Sequence, residues 1–188
     1  MIGPRIIAGA WRGKVLAAPP GLATRPTAGR VRQALFDMLR HAPWAERDLL
    51  TDAIVLDVFA GSGALGLEAL SRGAARAGFI ESDAATAAAI AANIRACKAE
   101  GRARLIRADA VNPPPGEPHD LILLDPPYGQ NLVPRAIAAL AARGWITPGA
   151  VIAAELGREE SLPEDIEPLG ERVHGVARLA IWRQRPGG

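Results

Sequence analysis

Residues 119–129 read HDLILLDPPYG, an apolar run that ends in an acid, two prolines, a tyrosine and a glycine. Leu121 to Leu124 form the unbroken apolar stretch of a strand buried on both faces of a parallel sheet. Proline has no N–H to give a neighbouring strand, so Pro126 and Pro127 stop the ladder abruptly. The Asp125 carboxylate, the Pro126 carbonyl and the Tyr128 ring are left at a strand's carboxyl end, where open α/β sheets bind ligands. A tight turn would use the same residues, so the rest of the chain must decide.

A second set lies in LDVFAGSGALGLEAL. Gly61, Gly63 and Gly66 match G-x-G-x-x-G between a strand and a helix, the context in which a backbone turns sharply against a nucleoside-containing cofactor. Glu81 ends the next strand, where a carboxylate can accept hydrogen bonds from both ribose hydroxyls. Asp57 precedes the glycines and would repel a dinucleotide pyrophosphate. It suits a cofactor with a positive centre and no phosphate, and S-adenosylmethionine carries both an ammonium and a sulfonium. Asp109 ends a third strand, placed to meet an adenine amino group.

The elements that must position these residues alternate. Strands are expected at AIVLDVF, RAGFIES, RARLIRAD, DLILLD and AVIAAEL, with helices from about Ala64, across 84–99 and at about 132–142. This pattern predicts a Rossmann-like α/β fold, a mostly parallel sheet covered on both faces. ERVH and VARLAIWRQ predict a C-terminal antiparallel hairpin. Before the sheet, RIIAG (5–9) and KVLAA (14–18) read as two short strands, and Thr27 as the cap of a helix running to about Arg40. Val31, Ala34, Leu35 and Met38 share its apolar stripe, leaving Arg30, Arg32, Gln33 and Asp37 on other faces. The organisation expected is a basic extension over 1–47, a catalytic domain over 48–185 and a tail over 186–188.

The net charge of +2 is unevenly spread. Residues 1–47 carry eight basic and two acidic side chains, which points to a polyanionic partner, nucleic acid first. A single cysteine, Cys97, excludes an internal disulfide and a cysteine-based metal site; three scattered histidines complete no metal-ligand spacing. No apolar run approaches the roughly 18–20 residues that span a membrane. A cytoplasmic monomer without metal is expected.

These motifs together resemble the class I methyltransferases that modify exocyclic amines. More narrowly, the chain resembles the bacterial 16S rRNA guanine-966 N2-methyltransferase family, RsmD, in RIIAGAWRGKVL, RPTAGRVRQALFDML, LDVFAGSGALGLEALSRGA, FIESD and LILLDPPY. The resemblance implies S-adenosylmethionine contacts from Arg25, Pro26 and Thr27, from Asp57, Phe59, Gly61 and Gly63, from Glu81 and Ser82, and from Asp109 and Ala110. It implies a catalytic centre at Asp125, Pro126, Pro127 and Tyr128. Asp125 and the Pro126 carbonyl would each accept an amino hydrogen, with Tyr128 stacked on an unstacked base. Arg5, Trp11, Arg12, Lys14, Arg30 and Arg32 would meet RNA, with 16S rRNA in a small-subunit assembly particle as the implied partner. Gly29 and Gln33 depart from the family pattern, which has an acid and a glutamate there. The residues alone leave open a DNA adenine or protein glutamine methyltransferase, a nucleotide-binding oxidoreductase and a non-catalytic RNA-binding module.

Overall fold

The computed structural model describes residues 3–18, 26–45 and 48–185. Four helices and seven strands follow one another: α1 (Pro26–Arg40), β1 (Ile54–Val58), α2 (Ala64–Ser71), β2 (Arg76–Glu81), α3 (Ala84–Ala96), β3 (Ala103–Arg107), β4 (His119–Leu124), α4 (Leu132–Ala142), β5 (Ile146–Gly157), β6 (Ile166–His174) and β7 (Ala177–Gln184). The sheet order is β3-β2-β1-β4-β5-β7-β6. The first five of these are parallel; β7 runs antiparallel to β5, and β6 to β7. The strand order reverses between β1 and β4, the switch point at which such sheets open a crevice beyond their carboxyl ends.

Side chains two apart on a strand share a face, and this sorts the core into two layers. Val55, Leu121, Leu123, Val151 and Ala153 pack with Val31, Leu35, Phe36 and Leu39 of α1, Leu67 and Leu70 of α2, and Ile90 and Ile94 of α3. Leu56, Val58, Ile122, Leu124 and Ile152 pack on the other side with Val133, Ile137 and Leu140 of α4. Ile6 and Leu16 belong to the first layer, so the N-terminal arm and α1 share the core of the sheet.

The N-terminal hairpin differs from expectation. Its two arms meet in one antiparallel bridge, Arg5↔Val15, and form no strands. The arms share three main-chain hydrogen bonds, from Ile6 to Lys14, Gly13 to Ile6 and Leu16 to Pro4, but other donors go elsewhere: the N–H groups of Ile7 and Ala8 go to the Glu68 carboxylate at 2.7 and 3.0 Å, and that of Ala17 to Asn93 Oδ1 at 2.7 Å. Helix α1 begins at Pro26, which places Thr27 inside the first turn and not at the cap. Proline suits that first position because its missing N–H would have no helical partner. β6 is longer than ERVH and tolerates Pro168 because it is an edge strand whose register shifts between Pro168 and Gly170.

Candidate functional site

β4 ends at Leu124, and the Asp125 N–H still reaches back to the Val58 carbonyl of β1 at 3.4 Å. The Asp125 side chain is exposed, Pro126 is buried, Pro127 is exposed and Tyr128 is half-buried. The prolines and the left-handed Gly129 (φ 80°) turn the chain out of the sheet. The Tyr128 hydroxyl donates to Glu155 Oε1 near the end of β5. Glu160 Oε1 accepts the N–H groups of Gly129 and Asn131 at 3.1 and 3.0 Å.

Across the switch point the β1–α2 loop is wound by three left-handed residues, Phe59 (φ 59°), Gly61 (φ 56°) and Gly63 (φ 76°). For phenylalanine this conformation is strained, and such strain persists where the surroundings impose it. A Cβ added at Gly61 would meet only the Phe59 carbonyl oxygen, at 3.9 Å, so the space beside the loop is open. Glu81 borders it: Oε2 accepts the Gly61 N–H at 3.0 Å and Oε1 that of Asp83 at 2.9 Å. Gly66 has a different task. A side chain there would strike Phe79 at 2.4 Å, so this glycine allows α2 to lie on the sheet.

Asp57 departs from the expected ligand-facing position. It lies on the layer covered by α2, is buried, and its Oδ2 accepts the Gly66 N–H at 2.8 Å. Burial pushes its carboxyl well above the usual carboxylate range; the Gly66 hydrogen bond opposes this, and the charges of Asp125 and Glu81 add to it. Asp57 therefore braces the first turn of α2. Asp109 is exposed, with Oδ1 accepting the Val111 N–H at 3.0 Å, while Ala110 is buried and Ser82 exposed. Glu81 ends β2 and Asp109 follows β3, so both carboxylates stand at the carboxyl ends of neighbouring parallel strands. Pro26 and Thr27 open α1, and Arg25 lies outside the described residues.

The basic residues divide. Arg5, Arg12 and Arg30 are exposed, and Arg5 Nη1 donates to the Gly13 carbonyl at 2.5 Å. Arg32 is the correction: it is buried, and its Nη2 donates to the Arg5 carbonyl at 2.6 Å. The face of α1 that carries it is covered by the N-terminal arm, so its guanidinium offers no phosphate contact. Burial lowers its pKa, against the attraction of Glu68. The Lys14 ammonium donates to the Ala96 carbonyl, and the Arg102 guanidinium lies over the Trp11 ring at 5.5 Å. The Trp11 N–H bonds to Ser71 Oγ at the end of α2, and α2 runs back toward the strands' amino ends. Trp11 and Lys14 thus sit at the opposite end of the sheet from Asp125. The two departures on α1 are locally harmless: Gly29 is exposed, and Gln33 Nε2 donates to Asp37 Oδ1 at 2.6 Å.

Four polar residues that sequence reasoning passed over organise the surroundings. Glu68 and Asn93 are buried on α2 and α3; Glu155 and Glu160 stand at the end of β5 and just after it. Asn93 Nδ2 donates both to the Ala17 carbonyl, at 3.0 Å, and to the Ser62 carbonyl of the glycine loop, at 2.8 Å. The available signal was an isolated polar residue within an apolar run, in LGLEAL, AAIAANI and VIAAEL. Among the described residues, no group of three or more His, Cys, Asp or Glu could hold a metal, and no helix is long and apolar enough to cross a membrane.

A family model described as "Conserved hypothetical protein 95" matches residues 4–182. The ribosomal RNA small subunit methyltransferase D of Escherichia coli K12 is 43% identical over 161 residues, covering 85% of this chain and 77% of that protein. The protein of the same name from Haemophilus influenzae is 36% identical over 186 residues, covering 95% of this chain and 93% of its own. The solved structure of yhhF from Escherichia coli has a TM-score of 0.81 at 40% identity, covering 97% of this chain and 98% of that one.

Proposed function

The chain belongs to the family of ribosomal RNA small subunit methyltransferase D, and from that premise we propose that it methylates the exocyclic N2 amine of a guanine, guanine 966, in 16S rRNA. The observation that carries this reading is the placement of Asp125–Tyr128 at the carboxyl end of β4, directly across the β1/β4 switch point from the glycine loop. The methyl donor is S-adenosylmethionine, which supplies an electrophilic methyl on a readily leaving sulfur. Glu81 accepts the ribose hydroxyls, and Asp109 with Ala110 borders the adenine. Phe59, Gly61, Gly63 and Ser82 line the approach, and Arg25, Pro26 and Thr27 supply further cofactor contacts. Asp57 acts from beneath, by fixing the turn.

A guanine amine is a poor nucleophile because its lone pair is delocalised into the ring. Asp125 and the Pro126 carbonyl each accept one amino hydrogen, which orients the nitrogen and favours pyramidal geometry. Pro127 keeps the acceptors rigid and Tyr128 stacks on the extruded base. Alignment of this kind lowers a barrier by ~7–11 kcal/mol, and after transfer a proton leaves through Asp125 or water. The RNA is held by Arg5 and Arg30, with Arg32 supporting Arg5 from within, and it extends past the sheet to meet Trp11, Arg12 and Lys14 at the end opposite Asp125. The substrate is an assembling small-subunit particle, engaged by a monomer.

Single-turnover methyl transfer to small-subunit RNA, normalised to folded protein, tests this. Asp125→Ala is expected to keep cofactor affinity and lose roughly 10²–10⁴-fold in kcat. Asp125→Asn retains an acceptor carbonyl and partial activity. Full activity in Asp125→Ala removes the reading, and methyl found on another base or on protein redirects it.

A further inference from the structure

We propose that Glu155 and Glu160 are positioning residues that fix the Asp125–Asn131 segment for capture of the target base; this rests on the catalytic reading of Asp125–Tyr128 given above. The two carboxylates divide the segment between them. Glu155 stands half-buried near the carboxyl end of β5, next to β4, and accepts the hydrogen bond of the Tyr128 hydroxyl. Glu160 holds the backbone beyond. Its Oε1 takes the N–H groups of Gly129 and Asn131 at 3.1 and 3.0 Å, and its Oε2 takes that of Gly157, at the end of β5, at 2.6 Å. Asn131 returns the contact, its Oδ1 accepting the Ser161 N–H at 3.2 Å.

The physical need is plain. Gly129 (φ 80°) and Asn131 (φ 48°) are both left-handed, so the chain after Tyr128 follows a conformation that few residues favour. Two prolines stiffen the segment before Tyr128 but supply no N–H to anchor it. An aromatic ring stacks productively only in one plane. A tyrosine between a rigid dipeptide and a left-handed turn keeps that plane when both its hydroxyl and the following backbone are tied to one rigid strand. β5 provides that strand, being paired on both sides. Carboxylates are suited to the task because hydrogen bonds to a charged acceptor are the stronger kind.

Tyr128 is the only tyrosine in the chain, so tyrosine labelled with carbon-13 gives one ring signature in the full-length protein. Glu155→Ala and Glu160→Ala are each expected to shift or broaden that signal, while Glu155→Gln, which keeps an acceptor, leaves it close to wild type. In single-turnover transfer, Glu155→Ala is expected to lose roughly 10–100-fold in kcat. Its S-adenosylhomocysteine affinity should stay unchanged, and Glu155→Gln should recover most of the rate. Tyr128→Phe removes the same hydrogen bond without touching β5, so it should reproduce that loss, and the double variant should lose no more than either single one. An unmoved tyrosine signal in Glu155→Ala, or additive losses in the double variant, overturns the proposal. Asp125→Ala runs beside them as the control: if it is fully active the catalytic reading itself fails, whatever the tyrosine signal does. If Glu155→Ala does not fold, an unchanged rate in Tyr128→Phe overturns the proposal equally.

Discussion

The C-terminal hairpin joins the sheet through main-chain ladders, with β7 paired to β5 from Val151↔Arg183 to Gly157↔Ala177 and β6 paired along β7. The N-terminal arm has a single bridge of its own and is fastened by the buried side chains of Glu68, Ser71 and Asn93, with Arg32 holding the Arg5 carbonyl. Glu68 takes the Ile7 and Ala8 N–H groups, Ser71 accepts from the Trp11 N–H and donates to the Ala8 carbonyl, and Asn93 pairs with both backbone groups of Ala17. A ladder divides its strength among many equivalent bonds, and no one side chain decides it. A docked arm concentrates its strength in a few residues. The contrast says which end of this protein a point substitution can release.

Glu68→Ala should show the largest effect. Glu68 is fully buried beside the Arg72 guanidinium at 2.7 Å, and Arg72 in turn lies over the Phe36 ring at 4.7 Å. Its removal leaves a buried cation and two backbone donors uncompensated, for a loss of about 3–5 kcal/mol in urea unfolding. Asn93→Leu comes next, at about 1–3 kcal/mol for the polar groups left without partners. Because Asn93 also holds the Ser62 carbonyl, this variant alone should weaken S-adenosylhomocysteine binding in a calorimetric titration. Ser71→Ala should cost about 1–2 kcal/mol, with no change in that titration. The smallest effect belongs to the ladder: Glu167→Ala breaks a part-exposed pair with Arg183 at 3.1 Å and should change stability by less than about 1 kcal/mol. A loss for Glu167→Ala as large as that for Glu68→Ala would erase the distinction.

The same contrast explains what the sequence revealed. Unbroken apolar runs such as LILL, and the alternation of strand with helix, follow from burial and period, and both are local properties. They placed the parallel strands, the C-terminal hairpin and the glycine loop. The strand-end acids were legible because a charge closing an apolar run must face something. The fastening of the N-terminal arm was not legible, since it depends on residues about sixty or more positions apart. Arg32 illustrates the failure: its place on α1 is polar by spacing, yet the arm that covers it is visible only in three dimensions. Asp57 illustrates a subtler one. Its strand position is readable from the apolar run, but the face it takes depends on the pleat, which turns it under α2.

The span of those contacts sets an order of events during synthesis. Ile7 must wait for Glu68, 61 residues later, and Ala17 for Asn93, 76 residues later. At ~5–20 residues per second, a ribosome leaves Ala17 without its partner for roughly 4–15 s. Through that interval Ile6 and Leu16 lack the α2 and α3 side chains they pack against in the folded core. The arm therefore cannot make these contacts until α2 and α3 have been synthesised.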